Sequence, residues 1–304
     1  MNDSNVNLIL NLTNPKSHYE INKIALKSGK HVYSEKPVAL DVQKAKELSK
    51  IAKNKKLIIS SAPCNVLNRS CQSLFSAINK DKIIGKVLLI YANFDCGFYF
   101  NTKPQEWQTL TGAKWPAKSE YETGNTVEHS AYMLNILALI NGSATKVFSY
   151  SKRTYSKQNI KLDSESPDFS VGCIEYKNGS IARLTNSLLG PLDRSLTIIG
   201  KKGKIFVKDI RDDNSPVYIK SDKKFDVGID GFISKWQQKF ESVLNIVPFF
   251  WGSRLRFYKK YKFINKKNKF FSHKSKPVDF CIGILDLINS VKNKKDPILN
   301  IDLA

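Results

Sequence analysis

Apolar and polar positions alternate in short blocks along the first sixty residues. The run VNLILNL, residues 6–12, is almost continuously apolar, as a short parallel strand buried on both faces would be. It ends at TNPKSH, where Thr13 or Asn14 can cap a helix and Pro15 fits the first turn. Ile21, Ile24 and Ala25 share one side of that helix, and Gly29 is a sound stop. HVYSE, 31–35, reads as a second strand. Val42, Ala45, Leu48, Ile51 and Ala52 form the apolar stripe of a helix capped by Asp41. LIISS, 57–61, is a third strand. Strands alternating with helices predict a parallel sheet with right-handed crossovers, with ligands at the carboxyl ends of the strands.

After Ser61 the pattern changes. A helix is predicted around Cys71–Asn79, then a long strand, KVLLIYANFDCG, over 86–97. A polar and aromatic region with Trp107 and Trp115 follows, then a helix over 126–140. Strand-like segments come next in series: 146–151, 169–176, 180–189, 195–200, 204–209 and 216–221. KNGS and GKKGK look like hairpin turns between them. A last helix is predicted over 278–293. The expected fold class is α/β: a partial Rossmann-type parallel sheet followed by an α+β domain with a mostly antiparallel open sheet. The boundary falls between a parallel-sheet part, 1–62, and an α+β domain, 63–304; the resemblance described below implies that the first binds dinucleotide and that the second serves substrate binding and oligomerisation.

Composition changes this picture little. The chain has 304 residues, 41% hydrophobic and 25% charged, enough for a sizeable core. No apolar run reaches membrane-spanning length, and the first residues lack the features of a secretory signal. The five cysteines are dispersed, which fits buried free thiols in a reducing compartment. The protein is therefore expected to be soluble and cytoplasmic. The net charge of +22 invites a nucleic-acid partner, but the lysines are spread along the whole chain. The exception lies within 242–278, where Arg and Lys interleave with aromatics. Residues 253–276, including Arg254, Arg256, Lys259 and Lys260, suit either an anionic surface or a solvated linker. No metal-ligand spacing occurs, so no metal is expected.

Four blocks in order resemble the Gfo/Idh/MocA family of nicotinamide-dependent oxidoreductases. They are LILNLTNPKSHYEINKIALKSGKHVYSEKPVAL, IIGKVLLIYA, YETGNTVEHSAYMLNILALING and DFCIGILDLINSVKNKKDPILNIDLA, and they span nearly the whole chain. The resemblance implies an NAD or NADP cofactor and a sugar, sugar derivative or cyclitol substrate, with hydride transfer at a secondary alcohol or ketone. It also implies a homo-oligomer, dimer or tetramer. Members of the family begin with a β-α-β unit bearing a glycine-rich turn. No G-x-G-x-x-G occurs in this sequence, so roughly sixty to seventy residues are expected to be missing before it, and a helix after it. An incomplete chain unable to hold cofactor is the alternative, and a basic nucleic-acid or anionic-surface binder the second.

The catalytic set implied by the resemblance is Lys36, Glu128, His129 and Tyr132. Pro37 has a fixed φ and no N–H, so it stiffens the strand end from which Lys36 projects. An ammonium there can polarise a carbonyl and relay a proton. Glu35 would hold cofactor or orient the lysine; an ordinary strand-end ion pair is the plain alternative. Many relatives carry Asp and His where this chain has Glu128 and Tyr132, one helical turn apart and on one face. A tyrosine, with a free pKa of about 10, needs that lowered to act as a base. His129 lies about 100° around the helix from Glu128 and suits either substrate contact or a structural hydrogen bond. The expected cofactor contacts are Thr13, Asn14, Pro15, His18, Glu35, Lys36 and Pro37, although helix capping alone would explain Thr13 and Asn14. Trp107 and Trp115 suit a sugar-binding wall or core packing.

Overall fold

The computed structural model describes residues 1–109, 111–155, 161–221, 258–265 and 278–302. The first unit is a parallel sheet of β1 (Leu8–Asn11), β2 (His31–Ser34) and β3 (Ile59–Ser61), in that order. Helix α1 (Pro15–Lys27) joins β1 to β2, and α2 (Val42–Asn54) joins β2 to β3. Asn14 caps α1 by accepting the Ser17 N–H at 3.2 Å, and Pro15 opens its first turn. Asp41 caps α2 through the N–H groups of Gln43 and Lys44. Both side chains satisfy helix-start donors that would otherwise lack partners. Leu26, Val32, Leu48 and Ile59 are the centre of this unit's core.

A second core begins at Cys64. Helix α3 (Arg69–Phe75) runs into a wider π turn at Ser76–Lys80 and leads to the long strand β4 (Val87–Cys96). Three helices follow: α4 (Ala117–Thr123), α5 (Asn125–His129) and α6 (Ala131–Asn141). The remaining strands are β5 (Ala144–Lys152), β6 (Phe169–Tyr176), β7 (Ile181–Ser187), β8 (Leu192–Asp193), β9 (Leu196–Gly200), β10 (Gly203–Val207), β11 (Val217–Ser221) and β12 (Lys259–Lys260). They form a nine-stranded sheet in the order β12-β11-β10-β9-β4-β7-β6-β5, with β8 beside β4. The sheet is antiparallel except at β4–β7, which pair parallel. One face buries Ile90, Ala92, Phe94, Leu184 and Ile198 against Met133, Ile136 and Leu137 of α6. Among the described residues no helix covers the opposite face, and β5 is exposed along its whole length.

Four details depart from expectation. The helix predicted over 126–140 comes as α5 and α6, abutting at Ser130, which keeps right-handed helical dihedrals. The last helix is shorter than predicted, α7 (Ile282–Asn293), and it packs on the first unit through Leu287, Tyr33 and Ala62. The Ser60 hydroxyl donates to Leu299 O at 2.5 Å, and Lys53 pairs with Asp302 at 2.9 Å. The division expected at 62/63 thus follows the chain but not the packing. Cys173 and Cys281 are exposed rather than buried, while Cys64 and Cys71 are buried. Of the basic stretch, Arg254 and Arg256 lie outside the described residues; Lys259 and Lys260 form β12, and Tyr261 and Phe263 pack on Ser76 and Arg69.

Candidate active site

The carboxyl ends of β1 and β2 lie side by side, with Asn11 opposite Ser34. Beneath them a buried polar network fixes their shape. Asn11 Nδ2 donates to Asn22 Oδ1 at 2.8 Å and to His18 O at 3.1 Å. Asn22 Nδ2 donates to Ser34 Oγ at 3.0 Å and to Val38 O at 3.2 Å. Each buried amide is thereby satisfied, which holds the two loops above it to one arrangement.

His18 completes the clamp. Its Nδ1 lies 2.7 Å from Pro37 O and its Nε2 2.9 Å from Thr13 O, and the residue is buried. This corrects the expectation that His18 touches a cofactor directly: the ring is buried between two backbone carbonyl oxygens, its N–H donates to one of them, and the side chain fills the space between the two loops. Thr13 and Asn14 are exposed above it, with Thr13 Oγ1 donating to Asn11 Oδ1 at 2.7 Å. Pro15 is buried in the first turn of α1.

Glu35 accepts the Lys36 N–H at 3.0 Å, and the Lys36–Pro37 peptide is cis. The Lys36 side chain crosses to the second unit and forms an ion pair with Glu128 Oε2; the two side chains are 15% and 4% exposed. Lys16 to Glu122, at 2.6 Å, makes a second link between the units. Gly124 sets the approach of Glu128. It sits between α4 and α5 at φ +83°, and a Cβ there would stand 2.5 Å from the Ser166 Cβ, so only glycine fits both the dihedral and the space.

A stack of rings forms the floor. Phe94, from the inner face of β4, lies 4.7 Å from Tyr132 and 5.4 Å from His129 between ring centres. Arg211 lies over the Tyr132 ring at 4.9 Å. His129 Nδ1 is 2.8 Å from Asn125 Oδ1, so Nδ1–H donates and Nε2 keeps its lone pair. Burial, then the positive charges of Lys36, Arg211 and Arg194, push this imidazole down to about 3, and it is neutral at pH 7. Burial pulls the Lys36 ammonium down, but the charge of Glu128 and its hydrogen bond outweigh it, and the net shift is upward. Burial raises the Tyr132 phenol despite Arg211 and Lys36, which leaves it protonated at neutral pH. Glu128 Oε1 is buried with no hydrogen-bond partner among the described residues, an acceptor that a ligand hydroxyl would satisfy.

Family models match both units of this arrangement. An oxidoreductase family model with an NAD-binding Rossmann fold matches residues 1–62, and that family's C-terminal alpha/beta domain matches 77–301. The chain belongs to the Gfo/Idh/MocA oxidoreductase family. It is 25% identical over 252 residues to an inositol 2-dehydrogenase/D-chiro-inositol 3-dehydrogenase of Lactiplantibacillus plantarum, covering 81% of this chain and 63% of that protein. The chain thus spans less than two thirds of that relative's length. Its fold is similar to the aldose-aldose oxidoreductase of Caulobacter crescentus, solved with glycerol, at a TM-score of 0.68 and 13% identity over 99% of this chain and 73% of that one. It is also similar to the WlbA dehydrogenase of Bordetella pertussis, solved with NADH and UDP-GlcNAcA, at a TM-score of 0.55 and 21% identity over 68% and 61%.

Within this Gfo/Idh/MocA chain, Lys36, Glu128, His129 and Tyr132 converge, although they come from two units. Trp107 and Trp115 belong to neither expected setting alone. They lie 5.9 Å apart in a half-open aromatic cluster, with Tyr99 5.6 Å from Trp107. A cleft of about 520 Å³ opens beside them, lined by Lys16, Trp115, Lys118, Glu122 and Asp163 among others. Sequence reasoning missed Phe94 and Arg211. Phe94 is readable as an inward position of β4; Arg211 carries no sequence signal. Among the described residues no three His, Cys, Asp or Glu side chains gather as a metal site, and no helix is long and apolar enough to cross a membrane.

Proposed function

We propose that this protein is an NAD(P)-dependent oxidoreductase acting on a sugar, sugar derivative or cyclitol at a secondary alcohol or ketone. The observation that carries this reading is the Lys36–Glu128 ion pair, formed above the carboxyl ends of the parallel strands by side chains from both units. A nicotinamide dinucleotide supplies the hydride acceptor or donor. Thr13 and Asn14, exposed at the end of β1, and Glu35, Lys36 and Pro37 at the end of β2 would hold it. They fit this task because the clamp of His18 and Asn22 fixes both loops, and because Glu128 Oε1 still needs a donor.

The charge states give each side chain a part. The Lys36 ammonium donates to a carbonyl oxygen and gives it a proton as negative charge develops there; in the oxidation direction the same nitrogen takes the hydroxyl proton only after releasing its own, which its raised proton affinity disfavours at neutral pH. Glu128 aims the ammonium and accepts from a neighbouring hydroxyl. Protonated Tyr132 donates, and the His129 Nε2 lone pair accepts. Paired donors and acceptors of this kind suit a polyol, whose hydroxyls do both. The relatives named above act on, or were solved with, such compounds. A dimer or tetramer is part of the same proposal: the open face of the large sheet carries Phe148, Tyr91 and Tyr218 in one cross-strand row.

The test is Lys36→Ala, with turnover of inositols and aldoses followed at 340 nm. The expected loss is about 10²–10⁴-fold in kcat. Turnover within a few-fold of the parent overturns the role of Lys36. Titration of the unmodified protein with NADH and with NADPH is the companion measurement. Micromolar binding is expected, and its absence favours the alternative of a chain that holds no cofactor.

A further inference from the structure

Arg211 stands in the loop between β10 and β11, with its guanidinium over the Tyr132 ring at 4.9 Å. The loop is pinned where it carries this residue. Ile210 is buried; its N–H donates to Arg194 O at 3.1 Å, and its carbonyl accepts from Asn68 Nδ2 at 2.9 Å. The Arg211 N–H donates to Asp209 Oδ1 at 2.8 Å. The guanidinium itself has neither a hydrogen-bond acceptor nor an acid partner among the described residues, and its Nε is buried. Three other half-buried arginines also have a buried Nε without an acceptor, but each finds a partner elsewhere on its fork. Arg69 Nη2 donates to Asn214 Oδ1 at 2.7 Å, Arg183 Nη2 donates to Asn93 Oδ1 at 3.0 Å, and Arg194 Nη1 pairs with Asp209 Oδ2 at 3.6 Å. The acids next to Arg211 in the chain are engaged as well: Asp209 with Arg194, Asp213 with Arg69, and Asp212 with the Asn214 N–H. A cation drawn partly out of water costs free energy unless an acceptor compensates it.

We propose that Arg211 binds an anionic substituent of the substrate, so that this site takes acidic sugars or cyclitols, carboxylates or phosphate esters, in preference to neutral ones. The planar fork of a guanidinium matches both groups. Its place is right for this task, because the Tyr132 ring that it covers belongs to the set that meets the substrate hydroxyls. Lys36 has Glu128 as its counter-charge and Arg194 has Asp209, which leaves Arg211 as the guanidinium with a charge to offer. A neutral polyol can satisfy Lys36, Glu128 and Tyr132 through its hydroxyls, yet it leaves the Arg211 charge uncompensated; an anion there removes that cost. The inference rests on the sugar-binding reading above but not on hydride transfer. Binding is read without turnover, so the two fail separately.

The experiment is calorimetric titration of the full chain with glucose, glucuronate and glucose 6-phosphate, in the parent, Arg211→Met and Arg211→Lys. At least one of the anionic sugars is expected to bind the parent about 10-fold tighter than glucose, and which one does so tells carboxylate from phosphate. In Arg211→Met that preference is expected to disappear because the anion weakens. In Arg211→Lys part of it is expected to remain, since the charge stays while the fork is lost. A parent that binds neither anion more tightly than glucose overturns the proposal, as does a preference that survives in Arg211→Met. Should Arg211→Met fail to fold, labelling of the parent's arginines by phenylglyoxal, mapped by mass spectrometry, decides the matter. The preferred anionic sugar is expected to slow labelling of Arg211 several-fold and glucose to leave it unchanged; equal labelling with both overturns the assignment. Turnover at 340 nm is measured apart. Its absence beside an intact anion preference rejects hydride transfer and leaves the Arg211 site standing.

Discussion

Asn22 shows how much rests on one side chain beneath this site. It is fully buried and bonds to Asn11, Ser34 and Val38. Replacing it by Ala removes one partner from each and leaves buried polar atoms unsatisfied, which costs the full desolvation of those groups rather than the modest net worth of a hydrogen bond. Asn22→Ala is expected to lose on the order of 2–4 kcal/mol in denaturant unfolding. NADH affinity is expected to weaken with it, because the same amide holds the loops that bear Thr13 and Pro37. A loss under about 0.5 kcal/mol would show that the network is not what fixes those loops. His18, which joins the same two loops by its ring, is the reason a direct cofactor contact is no longer needed to explain it.

Helix α7 is separated in sequence from the sheet it stabilises, and Gly283 marks the contact. A Cβ at that position would lie 2.9 Å from Cε2 and Cζ of Tyr33 and closer still to its hydroxyl oxygen. The Tyr33 ring is buried on β2 and has little room to move. Gly283→Ala is expected to lower stability by about 1–3 kcal/mol, the usual range for overpacking a filled interior. Most of that loss is expected to disappear when Tyr33 is first replaced by Val, which removes the clash. Equal losses in both backgrounds, read from urea midpoints, would place the cause elsewhere. The same helix explains why β3 is stable at three residues: Ser60 and Ala62 are held by the segment that follows α7 and by α7 itself.

Among the described residues the large sheet has one helix-covered face and one that no helix covers. Cross-strand register places Phe148, Cys173, Arg183, Tyr91, Thr197, Phe206 and Tyr218 in a single row on the bare face. Arg183 lies over Tyr91 at 4.9 Å, and Phe206 stacks on Tyr218. Exposed Phe148, Tyr150 and Ile181 extend the apolar surface to the edge. Exposed apolar area of this kind marks an interface more often than a solvated surface. The protein is expected to sediment as a dimer or tetramer, and Phe148→Glu with Tyr150→Glu to shift it toward monomer with its circular dichroism intact. A monomeric parent at micromolar concentration would reject the pairing.

Much of this was legible from local pattern. The alternation of apolar blocks predicted β1 to β3 with α1 and α2, a cap at Thr13 or Asn14 and one at Asp41, and the hairpins at KNGS and GKKGK, because strand and helix periodicity and capping act over a few residues. Lys36 and Glu128 were legible as candidates through the family resemblance, each standing in a block that resembles the family's. Their meeting was not, since it joins residues 92 apart in sequence and depends on how one unit is set on the other. The same holds for the parallel pairing of β4 with β7, the return of α7 to the first sheet, and the enclosure of His18. Local preference chooses the elements; burial and the juxtaposition of distant charges, which are properties of the packed chain, choose what those elements can do.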